Sequence, residues 1–158
     1  MRTKIIAAFP GSGKSYSHNL RKQISLDSDS SLFSWVYENG VKTRNPMFPQ
    51  NYIEHIKENI GKYQYIFVST HKEVRDLLKD NCLFFYLVFP GFGAKEDYIK
   101  RYKERGSSEE FIQLLDKNWI AWNQELYSES DGCKKCVIGK ETIEDFLKNL
   151  EKTNETND

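Results

Sequence analysis

Apolar residues gather in short blocks along the chain, separated by longer polar stretches where apolar positions recur every three or four residues. The blocks at 5–8, 23–26, 63–69, 83–89 and 136–138 read as strands. In two of them, 63–69 and 83–89, apolar and aromatic side chains run almost without interruption. Such runs belong to strands covered on both faces, as in a parallel sheet. Helices are predicted over 15–22, from Pro49 to Gly61 with Ile53, Ile56 and Ile60 on one stripe, and over 71–79. Thr70 is placed to cap the third of these, with Glu73 completing a capping box. Further helices are predicted over 94–105, ended by Gly106, and over 141–150. Between them a longer helix starts at Ser107 or Ser108 and carries Phe111, Leu114, Leu115, Trp119, Trp122 and Leu126 on one stripe. Leu32, Phe33, Trp35 and Val36 suggest one more short helix, and residues 38–50, with two prolines, two asparagines and a glycine, read as a long irregular loop.

Strand and helix thus alternate five times, which predicts an α/β fold with a five-stranded parallel sheet and right-handed crossovers. Ligands of such folds bind beyond the carboxyl ends of the strands. A chain of 158 residues is expected to form one domain, here residues 1–150, with a frayed polar tail over 151–158. Lysine and arginine total 23, as do aspartate and glutamate, so there is no basic surplus to favour duplex nucleic acid as a partner. No apolar run reaches the roughly 18 residues of a membrane span. Met1-Arg2-Thr3 leads straight into a strand without a signal-peptide layout, so a cytoplasmic location without membrane contact is expected. Cys133 and Cys136 have C-x-x-C spacing, but there is no second pair to complete a four-ligand zinc site, and the motif precedes a strand. They are expected to be reduced thiols without a role.

The strongest chemical signal is Ala8-Phe9-Pro10-Gly11-Ser12-Gly13-Lys14-Ser15, set between a strand and a helix. It matches G-x-x-x-x-G-K-[ST] at every position but the first, where alanine replaces glycine. Gly11 and Gly13 let backbone N–H groups face a polyphosphate, Lys14 places a charge on its β- and γ-phosphates, and the Ser15 hydroxyl suits Mg²⁺. Pro10, Gly11, Ser12, Gly13, Lys14, Ser15 and Tyr16 are therefore the expected ATP-binding residues. Asp27-Ser28-Asp29 follows the second strand beside this loop, Asp27 suited to holding Mg²⁺ through water together with Ser15, and Asp29 to facing an acceptor. Arg101 and Arg105, four residues apart, share one helix face. Phe33, Trp35 and Phe48 are candidates for stacking on a base, and His71 for a polar contact.

In its loop and in its element order the chain resembles the small P-loop kinases of the nucleoside monophosphate kinase group, and more narrowly the short phage-like nucleotide or adenylate kinases. The order of elements covers most of the chain, but only the loop is a specific motif. The resemblance implies a three-layer P-loop NTPase fold with strand order 2-3-1-4-5 and a mobile helical lid, here about 91–106, hinged at Gly91, Gly93 and Gly106. It implies that Lys14, Asp27, Asp29, Arg101 and Arg105 are catalytic, that Arg44 joins Asp29 in binding the acceptor, and that ATP and Mg²⁺ are used by a monomer or homodimer on a small nucleotide substrate. One departure is the segment Ser69-Thr70-His71 after the third strand, where many such enzymes place a metal-binding aspartate; Asp27 or Ser69, through water, would have to substitute. The expected reaction is phosphoryl transfer from ATP to a nucleoside or deoxynucleoside monophosphate, for which cations and positioning suffice. Two alternatives stand beside it. One is a kinase for an alcohol group on a small metabolite or nucleic-acid end, with the Asp-x-Asp turn supplying a base. The other is an ATP-binding module that transfers nothing.

Overall fold

In a computed structural model of the chain, which describes residues 2–156, strand β1 (Lys4–Ala8) is buried on both faces. Ile5 and Ala7, with Phe9 just beyond, point into one apolar cluster, and Ile6 and Ala8 into another. This two-residue period repeats in β5 (Tyr65–Val68), where Ile66 and Val68 join the first cluster and Tyr65 and Phe67 the second. It repeats again in β6 (Phe85–Phe89). With β2 (Ser25–Asp27) and β7 (Cys133–Val137) these strands form a five-stranded, all-parallel sheet.

The larger cluster is closed by four helices: α3 (Gln50–Asn59), α4 (Lys72–Asp80), α5 (Lys95–Glu104) and α6 (Glu109–Tyr127). The smaller is closed by α7 (Ile143–Thr156), beside which α1 (Lys14–Leu20) packs. The sheet order is β2-β5-β1-β6-β7 rather than the expected 2-3-1-4-5. The numbers differ because two strands unforeseen in the sequence pattern, β3 (Trp35–Glu38) and β4 (Val41–Arg44), form a separate antiparallel hairpin after the four-residue helix α2 (Ser31–Ser34). Trp35 and Val36 are thus strand residues, not helical ones, and the segment 38–50 is not wholly irregular. Asn39 and Gly40, with φ of 51° and 78°, make the turn, the pairing that favours a two-residue hairpin.

Two other expectations need correction. The Thr70–Glu73 capping box does not form: His71 takes the cap position of α4, with no side-chain cap bond, and the Thr70 carbonyl accepts instead from Arg75 Nε at 2.8 Å. Helix α7 continues through the segment expected to fray, as far as Thr156, and residues 157–158 lie outside the described residues. Segment 91–106 packs on the larger cluster. Tyr98 of α5 is fully buried against Phe9 and Trp119, and the Gly91 amide donates to the buried Asn123 Oδ1 at 2.9 Å. Burial of Tyr98 and Tyr102, one helical turn apart, outweighs the charged composition of the helix.

Helices α1 and α7 are joined by a polar network. Arg21 donates to both oxygens of Glu144, at 2.6 and 2.9 Å, and Ser17 Oγ donates to the same carboxylate at 3.0 Å. Arg21 also lies 3.5 Å from Glu151, which accepts from the Tyr65 hydroxyl at 3.0 Å. The hydrogen bonds from Arg21, and then the one from Ser17, hold the Glu144 carboxyl below its ordinary range against the opposing effect of burial. A depressed folded-state value means that the network stabilises the fold fully above the ordinary glutamate range and loses that contribution as pH falls toward the depressed value. Urea unfolding midpoints should therefore drop on the acid side, and Glu144→Gln should lower the midpoint near neutrality while flattening that acid limb. An acid limb as steep in the variant as in the parent would exclude this role.

Among the described residues, no helix is long and apolar enough to cross a membrane. Cys133 and Cys136 are unpaired and pack toward opposite faces of the sheet, Cys133 on the larger cluster and Cys136 on the smaller.

Candidate functional site

The glycine-rich loop leaves the central strand at the carboxyl end of the sheet. Its helix α1 packs on the α7 face, while α4, which follows the neighbouring strand β5, packs on the opposite face. Connections that diverge in this way open a crevice between two strand ends. A cleft of about 900 Å³ occupies that position, near the upper end of the usual range for small-molecule sites. Residues 8–16 form its floor, which includes all seven of the expected ATP-binding residues.

The loop is held in shape from three sides. Ser12 N and Oγ both donate to the Phe9 carbonyl, at 3.1 and 2.5 Å. The Ile143 amide, at the start of α7, donates to the Ser12 carbonyl at 2.9 Å. Arg101 donates to the Gly11 carbonyl at 3.2 Å and to the Lys140 carbonyl at 2.5 Å. The carbonyls of Phe9, Gly11 and Ser12 are thus taken up by protein donors. The first ladder bond of α1 runs from Ser17 N to the Gly13 carbonyl, so the preceding amides of its first turn have no intrahelical acceptor.

Gly11 has φ of +82°, and a Cβ placed there would sit 2.7 Å from the ring of Tyr102. Gly11→Ala should therefore cost about 1–2 kcal/mol for the left-handed backbone alone, and more for pushing α5 away. Denaturant unfolding of this variant, of Tyr102→Ala and of the pair should show strong non-additivity, because removing the ring removes the clash. Additive losses would mean that the loop and α5 are independent.

Lys14 Nζ lies 3.3 Å from Asp27 Oδ1, a buried oxygen that receives no hydrogen bond. Asp29 accepts from the Ser31 amide at 2.9 Å. Burial pushes its carboxyl up, but hydrogen bonds from Ser31 and the charges of Lys14 and His71 outweigh this and leave it below the ordinary range. The turn between the two aspartates is anchored from beneath, where the Tyr52 hydroxyl donates to the Ser28 carbonyl at 2.7 Å and the Ser28 amide to the Phe67 carbonyl at 2.9 Å. Neither aspartate lines the cleft itself; they stand behind Lys14.

Arg101 and Arg105 both line the cleft, stacked over Tyr98 and Tyr102 at 4.4 and 5.4 Å, and among the described residues neither forms an ion pair. Lys72 and His71 line the cleft as well. Arg44 stands apart: it lies on the hairpin, stacked over Trp35 and Phe48, pairs with Glu73 at 2.7 Å and does not line the cleft. Phe33 and Phe48 pack against Tyr52, so they are committed to the core, and Trp35 lies on the hairpin beneath Lys42.

The sequence pattern did not single out the far wall as a binding surface. Trp122, Glu125 and Leu126 of α6 form it, and Arg75 ties it to the β5–α4 turn. Arg75, almost fully buried, donates to the Thr70 carbonyl, to Glu125 at 2.5 Å and to Glu129. An arginine within α4, with Glu125 near the end of α6 and Glu129 just beyond it, was the available signal. Among the described residues, no group of three or more histidine, cysteine, aspartate or glutamate side chains forms a metal cluster.

Compared with known proteins, the chain matches no family model, no curated protein and no solved structure.

Proposed function

We propose that this chain is an ATP-dependent phosphotransferase of the small P-loop kinase kind, acting on a nucleoside or deoxynucleoside monophosphate. The observation that carries the reading is convergence on one cleft. A glycine-rich loop with pre-bonded carbonyls and a following helix start shares that cleft with Lys14, Arg101 and Arg105. Free helix-start amides and guanidinium groups without a carboxylate partner are what a triphosphate requires. Lys14 would lie along the β- and γ-phosphates, and Arg101 and Arg105 would meet the charge that spreads over the transferring group.

The donor set suits Mg²⁺ bound with the nucleotide. The Ser15 hydroxyl stands at the first turn of α1, and Asp27 keeps a buried oxygen without a hydrogen-bond donor. Ser15, with Asp27 through water, would hold the ion, which neutralises phosphate charge when bound.

A phosphate acceptor agrees with Asp29 better than an alcohol does. A carboxylate held below its ordinary range and bonded to a backbone amide is a poor proton acceptor. The test is ADP release from ATP and Mg²⁺ across a panel of nucleoside monophosphates, nucleosides and small alcohols. Release should require a monophosphate. Release driven by an alcohol, or none with any acceptor despite ATP binding, would replace this reading with one of its two alternatives.

A further inference from the structure

Helix α6 presents Trp122, Glu125 and Leu126 within one turn, lining the cleft that Thr70 and His71 also line. We infer that this far wall is the recognition subsite for the acceptor's base: Trp122 and Leu126 receive the flat ring, and Glu125 accepts a hydrogen bond from a ring N–H or amino group. The inference rests on the phosphotransferase reading for the word acceptor, but the subsite stands on its own geometry.

Three observations carry it. First, this wall mixes apolar surface with a single carboxylate. Leu126 is buried and Trp122 half-buried, which suits a heterocycle better than a polyol, whose hydroxyls would need several partners. Second, the carboxylate is fixed in place. Glu125 Oε1 is bound at 2.5 Å by Arg75, a side chain only 4% exposed, while the Glu125 side chain itself remains 46% exposed. One oxygen is anchored and the carboxylate still reaches solvent, so it can read a donor on a ligand. Third, Arg75 also binds the Thr70 carbonyl, so the two walls of the slot are held at a set separation before any ligand enters. The cations Lys14, Arg101 and Arg105 line the same cleft as this slot, so one nucleotide can place its base here and its 5′-phosphate among them.

The experiment is calorimetric titration of the full chain with AMP, GMP, CMP, UMP and ribose 5-phosphate, each without ATP, and then with ATP alone. At least one nucleotide should bind tenfold or more tightly than ribose 5-phosphate. Trp122→Ala should remove that advantage while leaving ribose 5-phosphate binding unchanged, and Trp122→Phe, which keeps a ring, should retain most of it. Glu125→Gln leaves Arg75 its bond to Glu129 and should change the ranking among the bases. Equal affinity for ribose 5-phosphate and all nucleotides, absence of nucleotide binding, or a base advantage that survives Trp122→Ala would overturn the subsite. ATP binding without any base advantage would sink the subsite and leave the kinase reading in place. A base advantage dependent on Trp122, with no ATP binding, would do the reverse.

Discussion

Lys14→Ala should abolish phosphoryl transfer while leaving the fold intact. The side chain is a quarter exposed and pairs with Asp27, so little of the core depends on it. Its loss withdraws a fixed charge from phosphates that grow more negative in the transition state. By analogy with removing one electrostatic donor from a preorganised site, the rate should fall roughly 10²–10³-fold. Unfolding by urea should change by less than about 1 kcal/mol, as for other partly exposed ion pairs. Turnover within a few-fold of the parent, in a normally folded variant, would remove the glycine-rich loop from the chemistry.

The second large effect is expected at Arg101 and Arg105. Replacing each by lysine keeps the charge but loses the planar fork, and at Arg101 the fork spans two carbonyls, those of Gly11 and Lys140. Turnover should fall by two orders of magnitude or more in the double variant, within the range that arginine contacts supply to phosphoryl transfer. The fold should persist, because Tyr98 and Tyr102 hold α5 in the core. Amide exchange in α5 should be slow without ligand, as expected of a packed wall and not of a loose flap. Parent-level turnover in both single variants and the double would return these arginines to a purely structural role.

The parts of this architecture that depend on local pattern were legible in the sequence. The β1 block, the loop from Ala8 to Ser15 and the stripe of α6 announce themselves by period and by glycine placement. The hairpin was obscured by Asn45, Pro46 and Pro49 just after it, although Asn39-Gly40 is a strong two-residue turn signal. The setting of Arg44 went unread with the hairpin: it ends β4 and pairs with Glu73. Docking of α5 was hidden because Tyr98 and Tyr102 are embedded among seven charged residues between 95 and 104. The apolar part of the α6 wall could not be read as a binding surface, since a stripe containing Trp122 and Leu126 looks the same whether it faces a core or a cleft. Only the depth of the crevice beside β1 and β5 distinguishes the two.

The most direct test follows the terminal phosphoryl group itself. ATP labelled at the γ-position is incubated with the protein, Mg²⁺ and each nucleoside monophosphate, and the label is traced by chromatography. The account predicts label in a nucleoside diphosphate, formed together with ADP and absent in Lys14→Ala. Label recovered only as inorganic phosphate, or only as unchanged ATP with every monophosphate, would contradict it.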